Sequence, residues 1–263
     1  MIKNALNYWI TIKALLLADY VIFKKDYINK VINVVVITMT QIVVTVYILP
    51  YFGLQSDFGA FMIGGFIAAY PLWETYPLVA GLTSDLDSEK RLTYELLLPV
   101  PSFLIFFKMI LSFTLQSIAS SFLIIPISKF FVMQEFQLQN VSWLALGMMF
   151  FANSFFMGAF GILIASLIKH ISQLETAWQR YIFPLWFLGG FQFSWTALHT
   201  IFPRASYLEL LNPILYTNEG FRSALLSDPT YIAAYLCVPI LYFFAFTFML
   251  WGIKNLRKRI DFI

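Results

Sequence analysis

The side chains most often used for catalysis or metal binding are scarce in this chain. It contains two histidines, His170 and His199, and a single cysteine, Cys237. One cysteine excludes an intrachain disulfide framework and any multi-cysteine metal site. The sequence has no HExxH helix, GxSxG elbow or GxxxxGK[ST] phosphate loop, which would indicate zinc, serine or nucleotide chemistry. We therefore predict no catalytic residue, metal or cofactor in this chain, so that any ATP used is hydrolysed by another polypeptide.

The most unusual ionisable residue is Glu74, which lies within an otherwise apolar stretch. An ionised carboxylate at mid-depth in a bilayer costs about 2.5 to 3.5 kcal/mol, so it should face water, a partner or an interface. Pro71 and Pro77 bend or break a helix at this point and can free carbonyl groups. Glu74 could therefore couple ions or protons in a secondary transporter or channel that works without ATP. The absence of detectable inverted halves argues against that alternative.

Several uncharged polar side chains also fall inside apolar stretches. Such groups can line a translocation path, although hydrogen bonding between helices is the more common reason for them in membranes. Both interpretations stay open for each of them. Together with Glu74, the candidate path-lining residues are Asn33, Gln41, Gln116 and Asn153.

Long apolar segments must position these residues. The chain is 60% hydrophobic and 12% charged, which is more apolar surface than a soluble domain of this length can bury. Crossing a hydrocarbon core of about 30 Å takes roughly 20 apolar residues of helix, and runs this continuous exclude the alternation of a barrel. We predict one all-α integral membrane domain, residues 1–263, with six membrane spans at 31–50, 59–80, 103–127, 143–168, 181–200 and 231–253.

The basic residues predict the orientation of these spans. If both termini are cytoplasmic, only Lys129, Arg204 and Arg222 of the 17 Lys and Arg residues fall on the outer side. Positive charge near short loops resists translocation, so we expect a multi-pass protein of the inner (cytoplasmic) membrane with both ends inside. The basic residues are scattered along membrane edges and not gathered on one soluble face, so nucleic acid is not an expected partner.

The first 30 residues predict an amphipathic interfacial helix. Lys13, Asp19 and Lys24 interrupt any apolar core of the kind that a cleaved signal peptide needs. Apolar residues recur instead at helical spacing on one face, which is typical of a helix that lies in the membrane plane. The alternative is a soluble amphipathic helix packed on a partner protein.

The segment 84–98, between the second and third predicted spans, predicts a short cytoplasmic helix. Asp85, Asp87 and Glu89 place negative charge at its N-terminus, where the helix dipole favours it, and Pro99 ends it. Such a helix can offer a charged tip to a soluble partner, or it can be a solvated helix that touches nothing.

The segment 191–229, before the last span, is too polar to cross a membrane and too apolar to be free in water. We predict a re-entrant hairpin that dips into the outer leaflet. Within it, Asn212 and Pro213 predict a turn that starts a helix. Glu219 and Arg222 are spaced i, i+3 on that helix, and their ion pair would contribute little to stability if it were exposed.

Two motifs and the overall layout resemble those of the ABC transporter type-2 (ABC-2) permeases. That family has a pattern close to E-x-x-R/K-G-T-x-E-x-L-L-x-x-P after its second span; the residues here that resemble it are Glu89, Arg91, Thr93, Glu95, Leu96, Leu97 and Pro99 or Pro101. The glycine of the pattern is absent, with Leu92 and Tyr94 around its place. A second family segment, L-N-P-x-x-Y followed by Arg near the outer side, is similar to Leu211, Asn212, Pro213, Tyr216 and Arg222.

The resemblance implies the membrane permease subunit of an ATP-driven exporter. Two such subunits, expected to form a homodimer, would surround a path for a glycan, a lipid-linked molecule or another amphipathic substrate. Two copies of an ATP-binding cassette subunit, which bind ATP and Mg²⁺, would dock on the cytoplasmic side. The helix 84–98 would be the coupling helix, with Glu89, Arg91 and Glu95 as the residues that couple it to the ATPase.

Overall fold

The computed structural model describes residues 2–53, 58–86, 91–131, 139 and 141–260. Within those ranges the chain is helical and contains no strand, which confirms the predicted all-α class. Among the described residues, four helical stretches are long and apolar enough to cross a membrane. They are Tyr8–Phe52, Ser102–Phe131, Trp143–Leu167 and Ala234–Arg259.

The first stretch begins with a single long helix, α1 (Ile2–Ile42), which continues as a π-helical turn at Val43–Ile48 and a 3₁₀ turn at Leu49–Phe52. The predicted boundary between an interfacial helix 1–30 and a first span 31–50 is therefore absent, because helix runs through residue 30 without a break. The sequence supports this continuity, since no glycine or proline occurs before Pro50.

Helix α2 (Phe58–Ser84) corresponds to the second predicted span. Its 27 residues extend about 40 Å at 1.5 Å per residue, but it is not among the four stretches that are apolar enough to cross a membrane. Pro71 and Pro77 lie inside it, and the Thr75 hydroxyl donates a 2.9 Å hydrogen bond to the Pro71 carbonyl. Most of its first half is buried among other helices, so α2 is an interior element of the bundle.

The next helices form the middle of the bundle. A short helix α3 (Arg91–Leu96) precedes α4 (Ser102–Ser121) and α5 (Ile124–Phe131), which together occupy the third predicted span. Helix α6 (Trp143–Leu167) matches the fourth predicted span and packs against α2, α4 and α12. Because 89% of its most apolar window is buried inside the protein, α6 is the central helix of the bundle.

The fifth predicted span, 181–200, is not one helix. The chain forms α7 (Leu174–Ala177), a π-helical turn at Trp178–Ile182 and α8 (Phe183–Phe187) before it breaks at Gly189 and Gly190. Gly190 has φ 74°, and a Cβ on Gly189 would lie 2.8 Å from the Ile214 side chain. A continuous span is therefore replaced here by a turn that packs closely against a later helix.

The remaining helices follow this break. They are α9 (Trp195–Ile201), α10 (Pro203–Glu209), α11 (Pro213–Leu226) and the long α12 (Ala234–Ile260), which contains all but the first three residues of the sixth predicted span. We refer to the two ends of the bundle as the α3 end and the α11 end, because α2 starts beside α11 and finishes next to α3 along the chain. Arg259, near the end of α12, donates to the Ile168 carbonyl at 2.6 Å and so satisfies a free carbonyl just past the end of α6.

Candidate functional site

A cavity of about 340 Å³ lies at the α3 end, between α1, α2, α3 and α4. Its wall combines apolar side chains with an unusual number of charged ones. The charged residues that line it are the carboxylates of Asp19, Asp26, Glu74, Asp85 and Glu95 and the ammonium groups of Lys30 and Lys108.

Lys108 of α4 ties three elements together at this cavity. Its side chain is only 2% exposed. Its Nζ lies 3.0 Å from Oε2 of Glu95 on α3 and donates to Oδ2 of Asp19 on α1 at 3.1 Å. A buried ammonium group requires such partners, because removing a charge from water costs several kcal/mol. The short helix α3 is thereby fixed to two long helices by one cation.

A second ion pair lies deeper in the same cavity. Lys30 of α1 approaches Glu74 of α2, with Nζ 3.5 Å from Oε1. The same Nζ lies 5.1 Å from the centroid of the Phe23 ring, within the range of a cation–π contact. Asp19 and Lys30 are about 16 Å apart along α1 at 1.5 Å per residue. The charged lining thus extends from α3 well into the bundle.

The structure separates the candidate path-lining residues into two groups. Glu74 and Gln116 line the cavity, and Gln116 donates to the Ser112 hydroxyl at 3.0 Å. Asn33 is exposed on the outside of α1, and Gln41 does not line the cavity. Asn153 is fully buried, and its Nδ2 donates to the Ala68 carbonyl on α2 at 3.0 Å. For Asn153 the geometry therefore favours hydrogen bonding between helices over a path-lining role.

The candidate coupling residues have different positions. Glu89 lies outside the described residues, and Arg91 is the first residue of α3. Glu95 faces the bundle, where it pairs with Lys108, and its side chain is 14% exposed. Contact between Glu95 and a docked partner is therefore less direct than the sequence predicts, since its carboxylate is already engaged inside the chain.

Sequence analysis missed Asp19, Asp26 and Lys108 as site residues. A lysine within an apolar run, as Lys108 is, indicates a buried partner. Asp19, Asp26 and Lys30 are spaced i, i+7 and i+11, which places all three on one face of α1. That charged face is the available signal, and only Asp19 of the three enters the sequence interpretation, as one of the charges that interrupt an apolar core.

Arg222 is the centre of a second buried polar cluster, at the α11 end. It is fully buried, and its guanidinium donates to the carbonyls of Gly190 and Phe191, both at 2.6 Å. It also donates to the Phe61 carbonyl at 3.3 Å and stacks over the Phe61 ring, 3.5 Å from its centroid. Arg222 therefore holds the turn that follows α8 against the start of α2.

Glu219 completes this cluster from the preceding turn of α11. It is fully buried and lies 3.9 Å from Arg222. Its carboxylate accepts hydrogen bonds from the backbone N–H groups of Trp195 and Ile232, each at 3.0 Å. The sequence predicted only that this pair would contribute little if exposed. The structure buries it, so removing either partner would leave an uncompensated charge.

The other residues of the L-N-P-x-x-Y segment build the start of α11. The Asn212 side chain caps the helix by accepting from Ile214 N at 3.1 Å, and its Nδ2 donates to the Leu185 carbonyl at 2.7 Å. Pro213 occupies the first helical turn, where a missing N–H is harmless. The Tyr216 hydroxyl donates to the Leu210 carbonyl at 2.8 Å. In this structure the residues of the motif therefore stabilise the start of α11.

Glu209, at the end of α10, is a carboxyl group that sequence analysis did not single out. Its side chain is buried, and neither carboxyl oxygen has a hydrogen-bond partner within the described part of the chain. Burial raises the pKa of Glu209 to about 7; nearby Glu219 adds to the increase and Arg222 opposes it. This group therefore changes charge near neutral pH.

Comparison with known proteins agrees with the geometry. The family model described as ABC-2 type transporter matches residues 12–226, from the first third of α1 to the end of α11. No curated protein and no solved structure gives a significant match. The matched range contains the residues that line the cavity as well as Glu219 and Arg222. The match confirms the resemblance drawn from the two motifs. The chain is an integral membrane transport component that belongs to the ABC-2 type transporter family.

Proposed function

We propose that this chain is the permease subunit of an ATP-driven exporter. Members of its family generally pair with an ATP-binding cassette subunit, and we infer that two copies of that subunit bind ATP and Mg²⁺ on behalf of two copies of this chain. The observation that carries the proposal is the contact of Lys108 with Glu95 and Asp19. It joins the helix at the family's coupling position to two membrane helices.

The distribution of charge supports the orientation that this function requires. The C-terminal basic residues of α12 lie at the same end of the bundle as the end of α6, because Arg259 bonds to Ile168 and Lys169. Lys24 and Lys25 lie within the segment of α1 that lines the cavity, between Phe23 and Asp26. In our proposal the α3 end is cytoplasmic in the inner membrane, which follows the positive-inside rule.

The proposed mechanism transmits movement through the buried ion pairs. Closure of the ATPase subunits around ATP displaces the segment that contains α3. Because Glu95 holds Lys108, and Lys108 holds Asp19, a shift of α3 also moves α4 and α1. These helices form the cavity wall, so the displacement changes the shape of the path taken by a glycan, a lipid-linked molecule or another amphipathic substrate.

Purification of the tagged chain from its native cells in mild detergent tests this proposal. We expect a stoichiometric nucleotide-binding subunit to co-purify and the complex to hydrolyse ATP. Glu95→Ala should retain the partner but reduce substrate-stimulated ATP hydrolysis about tenfold, because a loss of about 1.4 kcal/mol of coupling corresponds to that factor. Asp228→Asn, at the α11 end, is the matched control and should behave like the native chain.

A second function is favoured by one observation, the Lys30–Glu74 pair inside the cavity. An ionisable pair at this depth could bind and release protons in an ATP-independent transporter. A lone chain that transports without ATP, and that loses transport in Glu74→Gln but not in Glu95→Ala, would replace the exporter assignment with this one.

A further inference from the structure

A separate cavity of about 330 Å³ lies between the start of α4 and the C-terminal part of α12. We refer to it as the basic crevice, because half of its lining is cationic. It is lined by Phe103, Leu250, Ile253, Lys254, Arg257 and Lys258. Among the described residues no carboxylate lines it, so the basic crevice joins an apolar wall to a wall of positive charge.

The three cations of the basic crevice have no partner in the described part of the chain. Lys254, Arg257 and Lys258 are spaced i, i+3 and i+4, which places them on one face of α12. All three are exposed, and none is hydrogen-bonded or ion-paired to a described residue. Arg259 differs, because it donates to the Ile168 carbonyl and so serves helix packing. Three positive charges therefore remain for an anionic ligand.

The packing of α12 on α6 holds these cations on the outer side of the bundle. A Cβ on Gly252 would lie 3.0 Å from backbone atoms of Leu163, so the two helices are in close contact at this point. Two residues correspond to about 200° of rotation around a helix. Lys254 is therefore nearly opposite the face of α12 that packs on α6, and the cations face the surroundings of the bundle.

The basic crevice lies where the membrane-crossing stretch of α12 ends, at Arg259. Trp251 is 51% exposed, one turn before Lys254, and exposed tryptophans of membrane helices settle at the level of the lipid headgroups. On the side of α4, the Phe103 ring stacks on that of Phe107, with 6.3 Å between the centroids. The apolar wall thus continues along α4 from the cations into the membrane.

We propose that the basic crevice binds an anionic phospholipid, with its phosphate group among the three cations and an acyl chain along the apolar wall. Basic pockets between membrane helices bind lipid headgroups of this kind, and each Lys or Arg near the surface strengthens the attraction. A zwitterionic lipid has the same acyl chains but no net charge to match the three cations. Binding requires only that α12 crosses the membrane, so it does not depend on the exporter assignment.

Native mass spectrometry tests this binding on the full chain, together with any co-purified partner, after endogenous lipid is removed in mild detergent. The probes are dioleoylphosphatidylglycerol and dioleoylphosphatidylcholine, which share their acyl chains and differ in net charge. We expect phosphatidylglycerol to bind at least about tenfold more tightly, a difference of about 1.4 kcal/mol. Equal affinities would overturn the proposal.

Two further outcomes would assign the basic crevice to another ligand. Glycerol 3-phosphate, which has the phosphate but no acyl chain, should not displace phosphatidylglycerol at equal concentration. If it does, the basic crevice takes a phosphate alone and the lipid proposal fails. Phosphatidylglycerol that binds only after a co-purified partner is removed would show that this partner, and not lipid, covers the cations.

Charge-neutral variants locate the site. Arg257→Gln should weaken phosphatidylglycerol binding about fivefold, as expected for one cation near a membrane surface, and the triple variant Lys254→Gln, Arg257→Gln, Lys258→Gln should lose the preference over phosphatidylcholine. The double variant Lys254→Arg, Lys258→Arg keeps the charge and should bind like the native chain.

The matched control removes three cations from exposed positions on α1, outside the basic crevice. It is the triple variant Lys13→Gln, Lys24→Gln, Lys25→Gln, and it should keep the native preference for phosphatidylglycerol. If the control loses as much affinity as the α12 triple variant, the attraction is a general effect of net charge and the site is wrong. Normal phosphatidylglycerol binding by monodisperse Arg257→Gln and by the α12 triple variant would equally overturn the proposal.

Discussion

At the scale of single residues, Lys108 is the side chain on which the α3 end depends most. It is a buried lysine, and its two carboxylate partners belong to different elements. Replacing a buried ion network with neutral groups can be nearly neutral for stability, whereas removing one member leaves uncompensated charge. The cation and its partners should therefore be changed separately and together.

We predict that Lys108→Met lowers stability by about 3 kcal/mol, because Asp19 and Glu95 both lose the ammonium group that lies between them. Thermal unfolding in nanodiscs, followed by tryptophan fluorescence, measures the change as a lower Tm. The triple variant Asp19→Asn, Lys108→Met, Glu95→Gln should regain most of the lost stability. If the single variant is as stable as the native chain, the ion pairs contribute little to the fold.

At the α11 end, the buried carboxyl group of Glu209 predicts that the stability of the protein depends on pH. Its pKa is raised from an ordinary 4.5 to about 7 by burial, so the folded state binds a proton that the unfolded state has already released. The protonated carboxyl contributes fully to the free energy of unfolding below pH 4.5, and this contribution is lost as the pH rises towards 7. Native Tm should fall across this interval and then become level.

The variant Glu209→Gln removes this titration without changing shape. We expect its Tm to exceed that of the native chain at pH 8 and to match it near pH 4, as measured in the same nanodisc assay. Glu175→Gln, which changes an exposed carboxylate on α7, is the control and should reproduce the native profile. An equal Tm for Glu209→Gln and the native chain at both pH values would contradict the pKa assignment.

At the scale of elements, the break at Gly189 and Gly190 decides the course of the chain between α8 and α11. A Cβ on Gly189 would lie 2.8 Å from the Ile214 side chain and 2.9 Å from the Leu185 carbonyl. The Leu185 carbonyl also accepts from Asn212, so it is held in place. The approach of α11 to this turn therefore requires the absence of a side chain at Gly189.

We predict that Gly189→Ala destabilises the protein by about 2 kcal/mol, within the usual range for overpacking. Gly147→Ala is the matched control, because no atom lies within 4 Å of its added Cβ on α6. That substitution should be neutral or slightly stabilising, since alanine favours helix over glycine by about 1 kcal/mol. Similar Tm values for the two variants would show that the packing of α11 against this turn has room for a Cβ at residue 189.

The elements also show what the sequence could predict. Apolar length correctly placed α4 with α5, α6 and α12, because their apolar stretches of 25 to 30 residues are long enough to cross a bilayer. It failed at residues 181–200, where adjacent glycines within the run indicated a break, and at residue 30, where charges were interpreted as a boundary. Lysines and aspartates can continue a helix when they share one face, as Asp19 and Asp26 do, so charge alone does not end an element.

At the scale of the whole molecule, the two polar clusters lie at opposite ends of one helical bundle. Two of the carboxylates could be found from the sequence: Glu74 because it lies in an apolar stretch, and Glu95 because it belongs to a family motif. Which cation each carboxylate pairs with could not be predicted, since the packing of α1, α2, α3 and α4 around the cavity brings Glu74 to Lys30 and Glu95 to Lys108. Long-range ion pairs of this kind carry no local pattern.

The orientation of these ends across the membrane can be tested through the chain's one cysteine. Cys237 is fully buried, so the native chain should not react with a membrane-impermeant maleimide. Tyr94 is exposed on α3, and Thr230 is exposed between α11 and α12, so each is a suitable position for a new cysteine. We expect Thr230→Cys to react in intact cells, because the α11 end should face outward.

Tyr94→Cys should react only after the membrane is disrupted, since the basic residues at the α3 end resist translocation. Labelling after disruption is the internal control that each new thiol is accessible. If Tyr94→Cys reacts in intact cells and Thr230→Cys does not, the chain is inverted. The Glu95–Lys108 contact would then lie on the side away from cytoplasmic ATP, so it could not receive movement from an ATPase, and the proposed coupling route would have to be abandoned.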